Sequence, residues 1–134
     1  METRDETSEL PKYLGKQVRG IADELDIIPW KSRNDSIHKF DCTEFTSLCP
    51  VTGQPDFGRL DFEYAPDQFI AETKSLKLWL RKWREKGSFN EVIVEALADE
   101  FYEAVKPKWV TIIGRFNHRG GIAVTATTTR GAKG

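Results

Sequence analysis

In the stretch EFTSLCPVTGQPDF, residues 44–57, Cys49 stands just before one proline and Asp56 just after another. A cysteine thiolate is a soft nucleophile towards an electrophilic carbon, and a carboxylate within reach can pass protons as that carbon reacts. Pro50, Gly53 and Pro55 between them are turn formers, so the chain can fold Asp56 back towards Cys49. Each residue also has a structural explanation. A lone cysteine beside a bend serves as a small apolar residue, and an aspartate after a proline serves the turn. The chain holds two cysteines and two histidines, with His38 and His118 far apart, which is a poor inventory for a structural zinc site; no metal is expected. Cys42 reads as a small buried residue, with a reversible disulfide to Cys49 as the other possibility.

Those groups need a frame. Residues 58–65 alternate, with Leu60, Phe62 and Tyr64 on one face and Arg59, Asp61 and Glu63 on the other, which predicts a strand with one wet face. Pro66-Asp67 breaks it. Residues 68–85 predict a helix from Leu76, Trp79, Leu80 and Trp83 at i, i+3, i+4 and i+7, although SLKLWL also alternates like a strand. Gly87 ends that element. A second helix carries the stripe Phe89, Val92, Ile93, Ala96, Leu97, Phe101, Ala104 and Val105, opens on a capping box of Ser88 and Glu91, and closes at Pro107. Strands come next at 109–116 and 121–129, joined by the hairpin-like NHRG. Upstream, residues 1–15 predict a loosely held arm, LDIIPW a short edge strand ended by Pro29, and SIHKFDC a strand. The tail, residues 130–134, is expected to be mobile. The whole predicts one α+β domain over residues 1–134, an antiparallel sheet with two helices on one face.

The 134 residues allow one domain with a modest core, and the formal net charge of −1 lacks the basic excess of a general nucleic-acid binder. No stretch is long and apolar enough to span a bilayer, and the acidic start METRDETSELPKY lacks the apolar run of a secretory signal, so a reducing, cytoplasmic setting is expected.

The run at 44–57 resembles the signature of the nitrile reductases of queuosine biosynthesis, the NADPH-dependent 7-cyano-7-deazaguanine reductases in their short single-domain form. ETKSLKLWL resembles that family's nicotinamide-cofactor motif, GSFNEVIVEAL its substrate-side helix start, and GRFNHRGGIAV its last hairpin, in the family's order and spacing. Likeness covers roughly residues 38–126 and is weaker at YLGKQV. The resemblance implies the tunnelling fold (T-fold), a four-stranded antiparallel sheet with two helices, joined edge to edge into rings, here a decamer of two pentameric rings with sites at subunit boundaries. It implies Cys49 as the nucleophile that captures the nitrile as a thioimide and Asp56 as the proton donor. Glu91 would accept hydrogen bonds from the free base, with Asn90 and Phe89 beside it, although Phe89 also fits the helix core. Glu72, Lys74, Ser75 and Lys77 would serve NADPH, joined by Arg119 and Gly120. Two lysines suit a phosphate but equally a solvated face, and Arg119-Gly120-Gly121 suits an anion but equally a turn.

The chain departs from the family at Asn90, where histidine is usual, and mildly at Thr73. Asparagine can donate a hydrogen bond but cannot cycle a proton near neutrality. The rival functions are an amidine-forming relative that transfers ammonia to the nitrile on tRNA, a zinc-dependent cyclohydrolase disfavoured by the few His and Cys, and a purine- or pterin-binding module without catalysis.

Overall fold

The structure, a computed structural model, describes residues 25–32, 34–84 and 86–132. The expected arm at 1–15, the stretch YLGKQV and the last two residues of the tail lie outside them. Among the described residues, six strands and two helices run in the order β1 (Ile27–Pro29), β2 (His38–Leu48), β3 (Pro55–Ala65), β4 (Phe69–Ala71), α1 (Thr73–Arg81), a 3-10 turn (Lys82–Arg84), α2 (Asn90–Val105), β5 (Trp109–Phe116) and β6 (Thr125–Gly131). Four strands form an antiparallel sheet in the order β2-β3-β5-β6, and β1 pairs with β4 as a separate antiparallel ribbon. The α+β class and the antiparallel sheet are as expected.

Leu60, Phe62 and Tyr64 of β3 are fully buried, while the residues between them carry the charges. Phe62 packs its ring against both Trp79 of α1 and Phe101 of α2, so both helices cover the same face of the sheet. Ile93, Val94, Leu97, Phe101 and Val105 of α2 complete the core against Val110 and Ile112 of β5. The approach is close: a Cβ on Gly114 would lie 2.6 Å from Val94 Cγ2, so glycine there lets α2 settle on β5. Trp79 Nε1 donates to Glu100 Oε1 at 3.2 Å, and Lys82 pairs with the same carboxylate, tying α1 to α2. Lys106 closes α2 in the left-handed conformation, its N–H donating to the Tyr102 carbonyl ahead of Pro107.

Several boundaries differ from the sequence expectation. The helix expected at 68–85 begins only at Thr73, because Phe69–Ala71 pairs with Ile27–Pro29 first. Pro29 lies inside that ribbon, opposite Phe69, and does not end the strand before itself. The capping box of Ser88 and Glu91 does not form: Phe89 is the N-cap of α2 with no side-chain bond, and the Ser88 N–H donates to the Leu48 carbonyl. Phe89 and Val92, placed in the apolar stripe, are exposed. The last strand starts later and runs two residues further than expected, with Arg130 opposite Val110 and Gly131 opposite Trp109. Arg130 is held there by Glu95 and Asp99 of α2, so the first part of the expected mobile tail is sheet. No helix among the described residues is long and apolar enough to cross a membrane.

Helix α1 is anchored by a buried carboxylate. Glu72 caps it, accepting from the N–H groups of Lys74 at 2.9 Å and Ser75 at 2.8 Å. The Ser75 hydroxyl donates to the Glu72 carbonyl and accepts from the Asp26 N–H. The positive end of the helix stabilises the carboxylate where water is excluded. Glu72→Ala removes that acceptor and leaves two donors without it; a loss of about 2 kcal/mol is expected, read as a lowered urea midpoint with an unchanged denaturant slope.

Candidate active site

The site forms where the β2–β3 hairpin turns. Ser47 lies opposite Asp56 and Leu48 opposite Pro55, so the chain reverses between Cys49 and Gln54. Two backbone bonds close the reversal: Cys49 N–H to the Gln54 carbonyl at 2.9 Å, and Gly53 N–H to the Cys49 carbonyl at 2.8 Å. Gly53 takes φ +71°, a conformation that side chains disfavour. Asp56 continues the inward row of Gly58, Leu60, Phe62 and Tyr64, and its carboxylate is buried at the end of the helix-covered face.

A cation from the far hairpin reaches this corner. Arg119 pairs with the Asp56 carboxylate and donates to Gln54 Oε1 at 3.3 Å. It is delivered by a tight turn in which Arg119 and Ile122 exchange backbone bonds and Gly120 and Gly121 both take positive φ. A two-residue hairpin turn of this kind requires positive φ at both central positions, so Gly120 is explained by the turn itself.

The Cys49 thiol is partly exposed, and its pKa is pulled down to about 7. The Thr52 hydroxyl contributes most, followed by the backbone N–H groups of Thr52 and Val51; the Arg119 charge adds the least. Cys42 is the opposite case. Burial, reinforced by Asp41 and Asp61, pushes its thiol up to about 11. Both cysteines are free.

The start of α2 docks beside Cys49. Gly87 bridges Leu48, and Ser47 Oγ donates to Asn90 Oδ1 at 3.4 Å. Asn90 therefore lies next to the strand that carries the cysteine. Glu91 and Phe89 are exposed at the same helix start. The structure thus brings together Cys49, Asp56, Arg119 and Asn90, with Glu91 and Phe89 on the adjoining surface.

The α1 residues stand apart. Glu72 and Ser75 are buried and engaged in anchoring the helix. Lys77 lines a cavity of about 390 Å³ between β2 and α1, together with Arg81, Leu76, Leu80, Cys42 and Thr46. Sequence reasoning misses Arg81, Thr52, Gln54 and Ser47. Threonine and glutamine within a turn carry no chemical signal until their partners are known. Among the described residues no group of three or more His, Cys, Asp or Glu side chains is gathered as metal ligands.

The family model for QueF-like proteins matches residues 55–134 of the chain. The chain belongs to the QueF-like protein family. Within it, a protein of Bacillus subtilis (strain 168) named NADPH-dependent 7-cyano-7-deazaguanine reductase is 42% identical over 113 residues, covering 84% of this chain and 68% of that protein. Proteins of the same name from Streptococcus thermophilus (strain ATCC BAA-491 / LMD-9) and Chelativorans sp. (strain BNC1) are 45% identical over 91 residues and 47% identical over 103. The match covers 68% of this chain and 56% of the Streptococcus protein, so the chain spans little more than half of that relative's length. The crystal structure of the archaeosine synthase QueF-Like in the apo form superposes with a TM-score of 0.65 at 20% identity, over 78% of this chain and 100% of that one, which establishes a shared fold.

The two thiols should separate cleanly by pH. Thiolate is the reactive form, so iodoacetamide labelling of Cys49 should rise through half-maximum near pH 7, while Cys42 stays unlabelled until the solution is strongly alkaline. Peptide mass mapping across a pH series checks this; equal labelling of both cysteines at pH 8 contradicts the assignment.

Proposed function

We propose that the chain is an NADPH-dependent 7-cyano-7-deazaguanine reductase that converts the nitrile of the free base to a primary aminomethyl group, in the reducing cytoplasm where queuosine precursors are made. What carries the proposal is the meeting of a low-pKa cysteine, an aspartate and an arginine at the end of one hairpin. The names of relatives at 41–47% identity support it.

The Cys49 sulfur attacks the nitrile carbon, forming a C–S bond as one C–N π pair moves to nitrogen. The thiol proton balances that nitrogen, so addition of S–H across C≡N needs no net proton. Asp56 is placed to relay it, and Arg119 holds the carboxylate in line. Covalent capture fixes the carbon for reduction and replaces one hard addition by easier steps. NADPH, when bound, supplies hydride in two successive turns, the four electrons that nitrile-to-amine reduction requires. Each hydride taken up at carbon would be matched by one proton at nitrogen, delivered through Asp56 or water; between the two, the C–S bond breaks, its electron pair leaves with the Cys49 sulfur, and nitrogen gives up one proton as the imine C=N bond forms. Asn90 contributes orientation through its amide and no proton.

On the substrate side, the exposed Glu91 carboxylate can accept the paired N–H groups of the base, and Phe89 can pack on its ring. For the cofactor, Lys77 and Arg81 place two cations on the wall of the cavity beside α1, which fits phosphate-bearing groups, and Lys74 is one turn earlier on the same helix. Glu72 and Ser75 act by fixing the start of that helix.

The assembly is proposed as rings of a T-fold, two pentamers stacked as a decamer. Strands β2 and β6 are the two edges of the sheet within one chain, and such edges are paired or protected in stable proteins. Val51, Phe57, Phe89, Val92 and Ile122 are exposed apolar residues on the segments that form the site, which suits burial against a neighbouring copy.

The archaeosine synthase fold neighbour supports a second possibility, the same cysteine adduct attacked by ammonia in place of hydride. Intact mass decides the first step. Mixing the protein with 7-cyano-7-deazaguanine alone should add the base's mass to Cys49, and Cys49→Ala should show no gain. NADPH should then discharge the adduct with loss of its absorbance, while Asp56→Asn should slow discharge on the order of 10²–10⁴-fold. An adduct that ammonia discharges and NADPH does not selects the transferase; no adduct on a readily alkylated Cys49 sinks both.

A further inference from the structure

The start of α2 runs along the end of β2 and is stitched to it. Gly87 bridges Leu48, the Ser88 N–H donates to the Leu48 carbonyl at 3.2 Å, and Ser47 Oγ donates to Asn90 Oδ1 at 3.4 Å. The contact continues past Cys49, since a Cβ on Gly87 would lie 3.5 Å from Pro50 Cα. Ser47 is 1% exposed and lies opposite Asp56 in the β2–β3 register. Cys49 is the next residue of the same inward row, about 7 Å further along the strand direction. A buried hydroxyl has one proton to place. The Asp56 carboxylate opposite is held by Arg119, and Ser47 gives its proton to the asparagine. That bond fixes the polarity of the amide. Oδ1 is its inner, accepting end, and Nδ2, with two protons, is the outer end of a half-buried side chain.

We propose that Ser47 is a positioning residue that turns the Asn90 amide so that its N–H donors meet the nitrile nitrogen as Cys49 adds to the nitrile carbon. The inference rests on the nitrile chemistry assigned above to Cys49. In that step the C–S bond forms, one C–N π pair becomes a lone pair on nitrogen, and the proton given up by the thiol ends on that nitrogen. Negative charge therefore grows one bond away from the carbon under attack. A donor already aimed where charge develops stabilises the transition state without reorganising. An unconstrained asparagine could present either end, because the two ends of its amide are nearly alike in shape. With the oxygen outward, it would set an acceptor against the growing charge. The serine removes that alternative. Buried as it is, Ser47 acts on the base only through Asn90. Asn90 keeps both of its protons throughout, and Asp56 remains the group that relays one.

Measurements on the full chain separate this role from packing. Intact mass gives the rate at which 7-cyano-7-deazaguanine adds to Cys49. Calorimetry gives the Kd of 7-deazaguanine, which lacks the nitrile, and peptide mass mapping gives the iodoacetamide labelling of Cys49. Ser47→Ala should slow addition about tenfold while the Kd and the labelling keep their wild-type values. Asn90→Asp preserves the size of the side chain and the acceptor for Ser47 but replaces the outward donor by an oxygen, so addition should slow on the order of 10²–10³-fold. Because Ser47 acts through Asn90, adding Ser47→Ala to Asn90→Asp should slow it no further, which a double-mutant cycle reads directly. A wild-type rate of addition in Ser47→Ala overturns the proposal. So do losses that multiply in the double variant, or a Ser47→Ala protein whose base binding and labelling weaken in step with the rate. In each of those cases the nitrile still adds to wild-type Cys49 and the reductase reading stands; no adduct on the wild-type protein removes both.

Discussion

A one-residue register shift in β2 decides where the chemistry can be. From His38 to Cys42 the inward residues of β2 are the even ones: His38, Phe40 and Cys42 lie opposite Tyr64, Phe62 and Leu60. Between Cys42 and Phe45 the pairing slips by one, and from there Phe45 and Ser47 lie opposite Gly58 and Asp56. The inward set has changed from even to odd, and Cys49 is the next member of the odd row. An extra residue in one strand is a local disturbance of the ladder, yet it exchanges the faces of every residue beyond it. Without it, the row that ends at the turn would present Leu48 to the corner that holds Asp56, and the cysteine would face the other side of the sheet.

Once the hairpin is set, electrostatics fixes the rest. Asp56 is a buried carboxylate at the rim of an apolar core, and burying such a group without a hydrogen-bonding partner is costly. A partner that does not cross the core must come from the edge, and the Arg119-Gly120-Gly121-Ile122 turn supplies it. The same guanidinium reaches Gln54, so the two hairpins at this end of the sheet are joined by a single side chain. The third contributor, α2, is aligned by its entry: the Ser88 N–H is satisfied by Leu48, which leaves Phe89 as an uncapped N-cap and turns Glu91 outward. The missing capping box and the exposed carboxylate are one fact seen from two sides.

Much of this frame is legible from residues. β3 and α2 announce themselves by clean alternation or by a helical stripe, because each has one face against the core and one against water, whereas β5 reads as a strand from an apolar run that is buried along most of its length. The illegible parts lie where tertiary pairing overrides local pattern. Phe69–Ala71 reads as helix because its apolar residues extend the stripe of α1; only the pairing with Ile27–Pro29 makes it a strand. The second half of β2, TEFTSL, is polar and out of phase with the first half, which is what a register shift does to a periodic signal. In the site, Cys49 and Asp56 are visible as reactive types near a turn, and the family resemblance rests on the stretch around them. Thr52 and Gln54 are not, since the hydrogen bonds they accept, from the Gln54 N–H and from Arg119, are ones that no spacing reveals.

The contrast between the two cysteines shows why residue type is a weak guide to reactivity. Both belong to the β2 segment or its end, and both are free. Cys42 faces inward against Leu60, with Asp41 and Asp61 nearby, and every influence on it favours the thiol. Cys49 stands at the mouth of a closed turn that offers it hydroxyl and amide donors, and the arginine beyond favours the same charge state. The separation, about 11 against about 7, comes from hydrogen-bond donors, burial and neighbouring charge. At neutral pH these influences favour the thiolate at Cys49 and the thiol at Cys42, so two residues of one type, seven apart on one segment, differ in nucleophilic character through their surroundings alone.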